Sequence, residues 1–339
     1  MTGQPIRIAA FLGTQALGDY VMYHLTAGSV ARALDARLTV IFRDDRPYKT
    51  TLNALNPLVD EVIEVPDESR GLLPLDMLAA GENPPEILLT PSMMDFGQCI
   101  GTPPVMRLPD RMAAELDRDL RECGIDPGRW FCCLHLREPN YVWRLGADRL
   151  RDVDPTSYLP LIRRLIDTNG GQVVRVGDPS MTPLPKIDGL FELGLQPDSF
   201  ALQAYALSRA RFFIGNDSGP TQLACALGTP AMSTNALGVG VWNPGDAVLF
   251  KTYRRSDGGG DVPVADIVAI NPMLGNKRPS GLDYIAVSPE DLVAAGEHMF
   301  EVTRDGPRDL GEGTEPAARL QFPLPWRDMT DFADLTYLD

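Results

Sequence analysis

The chain is 339 residues long, more than one hydrophobic core usually supports, so two domains of about 100 to 200 residues each are expected. Apolar residues make up 44% and charged residues 23%, a globular balance that excludes a fibrous or disordered chain. Lys and Arg total 31 against 46 Asp and Glu, a net charge of −15 that argues against broad adhesion to nucleic acid or anionic membrane, so an anionic ligand must meet a local positive pocket.

Ile6 to Leu12 is an apolar strand, followed by the turn Gly13-Thr14-Gln15-Ala16-Leu17-Gly18-Asp19 and a helical pattern from Tyr20 to Leu34. Arg37 to Arg43 is the next strand, Glu61 to Val65 a third, and Ile87 to Leu89 a short fourth. Thr90 to Pro109, rich in Pro, Gly and Met, reads as irregular. A second unit begins near Pro127, with strands at Phe131 to Leu136 and Gln172 to Val176, an amphipathic helix at Tyr158 to Thr168 and a short helix at Phe200 to Ser208. Tyr253 to Gly281 has no sustained period and reads as a long loop. Pro289 to Val302 is a helix with Ser288 as its cap and Glu290 and Asp291 at its positive end. The expected division is 1–125 for the first domain, 126–303 for the second and 304–339 for a tail that packs back on the first. Strands alternating with helices predict parallel sheets, with ligands at the carboxyl ends of the strands.

Five cysteines, an odd number with no C-x-x-C pair, suit free thiols in a reducing cytoplasm. Three scattered histidines, His24, His135 and His298, lack metal-ligand spacing, so no metal site is expected. No charged-then-apolar leader opens the chain, and no apolar run approaches the roughly 20 residues a membrane span needs.

The most informative stretch is Ala210 to Asn235, ARFFIGNDSGPTQLACALGTPAMSTN, which reads as strand, tight turn, helix, turn, strand. Gly215-Asn216-Asp217-Ser218-Gly219-Pro220 breaks the first strand, and Gly228 stops the helix. The first amides of a helix lack intrahelical partners, so Ser218, Gly219 and Thr221 suit a phosphate; equally, Asp217 or Ser218 merely caps the helix.

These motifs resemble a family. IGNDSGPTQLACALGTP is similar to the nucleotide-sugar-binding stretch of the ADP-heptose:lipopolysaccharide heptosyltransferases, LGTQALGDYVMYHLT to their N-terminal Gly-Asp turn, and LNPLVDEVIEVPD to the strand segment that follows. A closer resemblance is to a less characterised group of bacterial glycosyltransferases with three elements like CLHLREPNY, VVRVGDPSMTPL and FFIGNDSGP, here at Cys133 to Tyr141, Val173 to Leu184 and Phe212 to Pro220. One departure is Gln222, where heptosyltransferases place a titratable His. His-Leu-Arg also resembles the His-x-Arg motif of fucosyltransferases with related folds, in which the arginine grips the donor pyrophosphate.

The resemblance implies an α/β protein of GT-B fold, two Rossmann-like βαβ domains facing across a cleft. It implies a glycosyltransferase that moves a sugar from a nucleotide-diphosphate sugar, as co-substrate, to an acceptor hydroxyl or amine, without a metal or other cofactor and with inversion. Asp19 is then the base, with its alternative a cap on the helix from Tyr20. Arg137 clamps the diphosphate, or pairs with Glu138 or Asp178; His135 is an alternative base, a supporting residue or a core histidine. Gly18, Arg175, Gly177, Asp178, Asn216, Asp217, Ser218, Gly219, Pro220, Thr221, Gln222 and Asn235 complete the expected donor site, Gly177 and Asp178 with an equal claim to a turn. Asn243, Lys251 and Arg254 are weaker candidates. The acceptor is open among a glycan, a lipid-linked sugar, a small metabolite and a peptide. A nucleotide-sugar epimerase of the same architecture, or a non-catalytic nucleotide-sugar-binding protein, is the competing reading.

Overall fold

The computed structural model of the chain describes residues 5–14, 16–65, 84–94, 105–139, 152–216, 218–236, 248–252, 254–255, 284–285 and 287–304. The first sheet holds β1 (Arg7–Leu12), β2 (Arg37–Phe42), β3 (Val59–Glu64) and β4 (Ile87–Leu89), in the order β3-β2-β1-β4 and parallel throughout. Ile8 to Leu12 are all buried, as a strand covered on both faces must be, which is why this stretch reads as a continuous apolar run. Two helices follow strands here: α1 (Leu17–Ala33) after β1 and α2 (Lys49–Leu55) after β2. Beyond β4 come a single turn, α3 (Pro91–Met94), and α4 (Asp110–Glu122).

The second sheet holds β5 (Phe131–His135), β6 (Gln172–Arg175), β7 (Leu190–Glu192), β8 (Phe212–Asn216), β9 (Ala231–Ala236) and β10 (Val248–Thr252). Their order is β10-β9-β8-β5-β6-β7, again parallel. The chain builds outward from β5 in one direction and from β8 in the other, so the order reverses between these two adjacent strands. Such a switch point, at the carboxyl ends of the strands, is where an open α/β sheet leaves a crevice. In the first sheet the order reverses likewise beside β1, whose carboxyl end leads into Gly13 and α1.

Helices α5 (Leu159–Arg163), α6 (Phe200–Arg209), α7 (Gly219–Ala226) and α8 (Pro289–Val302) complete the described helical elements. The expected helix at 158–168 is three pieces instead: a 3₁₀ turn at Pro155–Tyr158, α5, and a π turn at Arg164–Thr168. Asp154 caps the tight first turn by accepting from the Thr156 amide at 2.9 Å. Ser288 caps α8 as expected, accepting from the Asp291 amide at 3.2 Å. Paired Arg254–Arg255 and Tyr284–Ile285 form a separate antiparallel ribbon. The tail from 305 lies outside the described residues.

Alternation along the strands divides the second sheet into two faces. Phe131 and Cys133 of β5, Val174 of β6 and Phe213 of β8 join one apolar cluster with α1, α6, α7 and the first sheet. Cys132, Leu134, Val173, Phe212 and Ile214 join another with α5 and α8. Helix α1 sits in the middle of the first cluster: from Tyr20 to Ala31 every residue but Met22 is buried, as in a helix packed on more than one side.

That burial traps polar groups, and they satisfy one another. Tyr20 Oη donates to Asn53 Oδ1 at 2.7 Å, His24 Nε2 lies 3.0 Å from the same oxygen, and Asn56 Nδ2 donates to the His24 carbonyl at 3.1 Å. Lys49, almost fully buried on α2, pairs with Asp45 at 2.6 Å. Asn53 Oδ1 only accepts, so His24 Nε2 carries a proton, and Nδ1, 3.4 Å from the donor Asn56 Nδ2, is left to accept, which is the neutral imidazole. Desolvation pushes its pKa down to about 4, against the opposing pull of the Asn53 bond. Above the ordinary value of 6.5 the imidazole is neutral folded or unfolded; below it the unfolded chain takes up a proton that the folded chain refuses until about pH 4. Stability is therefore expected to fall as pH drops through that window, by roughly 1.4 kcal/mol per unit at most, and His24→Gln should flatten the slope in urea titrations.

Candidate active site at the meeting of two helix starts

Strand β8 runs on through Gly215 to Asn216, two residues further than its apolar run Phe212 to Ile214. Asn216 is fully buried on the α5-facing side, where Nδ2 contacts Tyr158 Oη at 3.4 Å and the Thr234 carbonyl at 3.3 Å. Its Oδ1 accepts from the Arg137 amide at 2.7 Å, which ties the carboxyl end of β5 to that of β8. The Asn216 carbonyl takes the hydroxyls of Ser218, at 3.1 Å, and of Thr221. A donor contact expected of Asn216 and Thr221 is thereby corrected, because their polar side-chain atoms are internal fasteners of the turn.

Ser218 is the extended residue before α7. The Thr221 and Gln222 amides both reach back to the Ser218 carbonyl, at 3.1 and 3.4 Å, and Pro220 has no N–H. Among the described residues this leaves the Ser218 and Gly219 amides without an acceptor at the positive end of α7. Asp217 lies outside the described residues, as does the side chain of Asn235, although Asn235 falls within β9. Asn243 and the side chains of Lys251 and Arg254 are outside them too.

The first turn of α1 rests on the first turn of α7. A Cβ placed on Gly18 would be 3.3 Å from Gly219 Cα and 3.4 Å from Gln222 Cγ, and one on Gly219 would be 2.7 Å from Leu17 Cβ. Gly18, Gly219 and Gln222, expected from opposite halves of the chain, are thus brought together, with Asp19 next to Gly18 in the chain. Helix α1 starts at Leu17 rather than Tyr20, so Asp19 is its third residue and Ala16 takes the capping position; the capping alternative for Asp19 falls away. The Asp19 carboxylate is exposed, accepts from Thr14 Oγ1 at 3.4 Å, and sits where a negative charge opposes the helix dipole.

Around this seam the second sheet places the remaining candidates. His135 ends β5 on the same face as Cys133, half-buried, with Nδ1 donating to the Val176 carbonyl at 3.0 Å and Nε2 left as an acceptor. Desolvation, with smaller contributions from the Arg175 and Arg137 charges and against the Val176 bond, lowers its pKa to about 4, so it is a neutral and weakly basic imidazole at neutral pH. Arg137 Nε is 3.4 Å from Asp152, not beside Glu138 or Asp178 as the pairing alternative had it. Gly177, at φ 152°, donates its amide to Gln203 at 2.7 Å, and Met181 Sδ occupies the space of a Cβ, 2.3 Å from where one would stand. Asp178 accepts from the Ser180 amide at 2.8 Å; both residues are therefore turn-formers here.

Arg175 is a correction of a different kind. As a neighbour of Val174 on β6 it points to the opposite face, the one turned to α5 and α8, and is fully buried there. Its guanidinium bonds Glu138, Glu192 at 2.6 Å and the Thr182 carbonyl at 2.7 Å. The two carboxylates in turn receive the Thr182 and Leu184 amides at 2.9 and 3.1 Å, so the cluster pins the loop after β6. The signal was present in the sequence, since an arginine inside the buried run VVRV needs a carboxylate nearby.

Neither a protein-family model nor a curated protein sequence matches the chain. Solved structures do. The glycosyl transferase family 9 protein of Veillonella parvula DSM 2008 superposes with a TM-score of 0.54 at 14% identity, over 89% of this chain and 99% of that one. The E. coli ADP-heptose LPS heptosyltransferase II gives the same score and identity over 88% and 100%. The fold is accordingly GT-B, two Rossmann-like sheets, as expected from the motifs. Among the described residues no helix is long and apolar enough to cross a membrane, and no three His, Cys, Asp or Glu converge to hold a metal ion.

Removing the Arg175 guanidinium would leave the buried Glu138 and the partly buried Glu192 without a counter-charge. Arg175→Ala is expected to destabilise the fold by about 3 to 5 kcal/mol in equilibrium denaturation, a loss that a ligand-contacting arginine would not give.

Proposed function

We propose that the protein is a glycosyltransferase that moves a sugar from a nucleotide-diphosphate sugar to an acceptor hydroxyl or amine. The single observation that carries this reading is that, on a GT-B scaffold, the helix start that bears the exposed Asp19 abuts the helix start that bears two unpartnered amides. Asp19 offsets the positive end of α1, and a diphosphate beside the Ser218 and Gly219 amides would do the same for α7. One structural neighbour is named for ADP-heptose and LPS, which supports a nucleotide-diphosphate donor.

In the proposed reaction Asp19 takes the proton of the acceptor hydroxyl as its oxygen attacks the anomeric carbon from the face opposite the leaving group. The bond from that carbon to the phosphate oxygen breaks, and the nucleoside diphosphate departs with the electron pair, giving inversion. The two amides, the α7 dipole and Arg137 receive the growing phosphate charge, so the proposed step uses no metal. His135, neutral near pH 7, serves as a hydrogen-bond acceptor rather than the base. A reducing cytoplasm is the proposed setting, in keeping with the free thiols of Cys123, Cys132 and Cys133.

The test is a panel of nucleotide sugars assayed for acceptor-dependent release of nucleoside diphosphate. Asp19→Asn is expected to abolish transfer while nucleotide-diphosphate binding persists, and unchanged turnover would remove Asp19 from the mechanism. Arg137→Ala should weaken nucleotide-diphosphate binding by roughly 2 kcal/mol or more in calorimetric titration. An isomerised sugar from donor alone would point to an epimerase instead.

A further inference from the structure

Glycine at the start of a phosphate-suited helix is ordinarily read as clearance for the ligand. Here the clearance is occupied by protein. Gly18 and Gly219 are absent from the residues with positive φ, and both are helical, so backbone conformation does not call for glycine at either position. Contact does. A Cβ on Gly219 would strike Leu17 Cβ at 2.7 Å, Leu17 Cγ at 2.9 Å and the Gly18 nitrogen at 3.0 Å. A Cβ on Gly18 would be tighter than normal against Gly219 Cα, at 3.3 Å, and would touch the Gln222 stem at 3.4 Å.

We propose that Gly18 and Gly219 are positioning residues whose missing side chains let the α1 and α7 first turns seat on one another, setting the reach between the Asp19 carboxylate and the amides of Ser218 and Gly219. The inference rests on the glycosyltransferase reading for its catalytic consequence, but the seating itself is a property of the fold. Asp19 follows Gly18 directly, so a displacement of the α1 start moves the carboxylate by a similar amount. The Ser218 and Gly219 amides belong to α7 and stay with the second sheet. Substitution at the seam therefore separates base from donor while leaving each half of the site chemically intact.

Gly219→Ala keeps the amide and a favourable helical residue, and differs only by a methyl group pressed into Leu17. The expected result is a fall of roughly a hundredfold in kcat with the donor KM changed less than about threefold, the pattern of a misplaced rather than missing group. Leu17→Gly removes both of the closest side-chain obstacles, so the double variant Leu17→Gly with Gly219→Ala should regain much of the loss. Gly18→Ala, with longer contacts, should lose about tenfold or less and serves if Gly219→Ala fails to fold. Hydrogen exchange of the amides at 20–24 reads the seam without any substrate, and is expected to quicken in Gly219→Ala and slow again in the double variant. Unchanged exchange in Gly219→Ala overturns the seam whatever the activity; equal losses in kcat and donor binding with no rescue by Leu17→Gly overturn the positioning role. If the wild-type protein turns over no donor, the glycosyltransferase reading fails and the exchange arm alone decides the seam.

Discussion

Helix α1 is the chief link between the two sheets of this protein, with α4 against α6 and Tyr48 against Phe200 beside it. Helix α1 leaves the carboxyl end of β1, packs its length into an apolar cluster that reaches the inner strands of the second sheet, and places its first turn on the first turn of α7. Burial of so many residues on one helix is the dominant favourable contribution at this junction, because each buried aliphatic or aromatic side chain contributes about 1.5 to 3 kcal/mol. Direction comes from elsewhere. The close backbone approach at Gly18 and Gly219, and the Tyr20–Asn53–His24 hydrogen bonds further along, admit one angle and one register where apolar contact alone would admit several.

Alternation along the strands then decides what each candidate residue can do. On β5, Cys133 and His135 face the junction, while Cys132 and Leu134 face the outer helices. On β6 and β8 the same rule sends Arg175 and Asn216 outward, where Arg175 holds the loop after β6 and Asn216 holds the turn before α7. These outward residues shape the site from behind. On the inner side stand a neutral imidazole, two amides and a glutamine, arranged around a contact between helix starts, one of which carries the exposed Asp19.

Much of this architecture was legible from residues alone. Strands such as Ile8 to Leu12 announce themselves because burial on both faces demands an unbroken apolar run, and the strand–turn–helix order of the Asn216 to Ala226 segment follows from its Gly and Pro. Helices α2 and α4 were not legible. The first, KTTLNAL, carries Lys49 and Asn53 inward, Lys49 paired with Asp45 just before the helix and Asn53 with Tyr20 of α1; in the second only Leu116 and Leu120 are buried, too few to outweigh eight charged neighbours in DRMAAELDRDLRE. The fate of Arg175 and Asn216 depends on strand register and so on residues dozens of positions away, which no local pattern encodes. The same holds for Gly18 and Gly219, whose common purpose is invisible until the halves are side by side.

Because α1 lends one side to its own sheet and another to its neighbour, the halves are not interchangeable modules. Severed between α4 and β5, the N-terminal piece would present a bare greasy flank to water, and its counterpart would be left with an unfilled trough where Phe131, Cys133 and Phe213 now meet that helix's surroundings. Shuffling such a piece onto a foreign partner would demand that the newcomer reproduce the trough, which ties the inheritance of one half to that of the other.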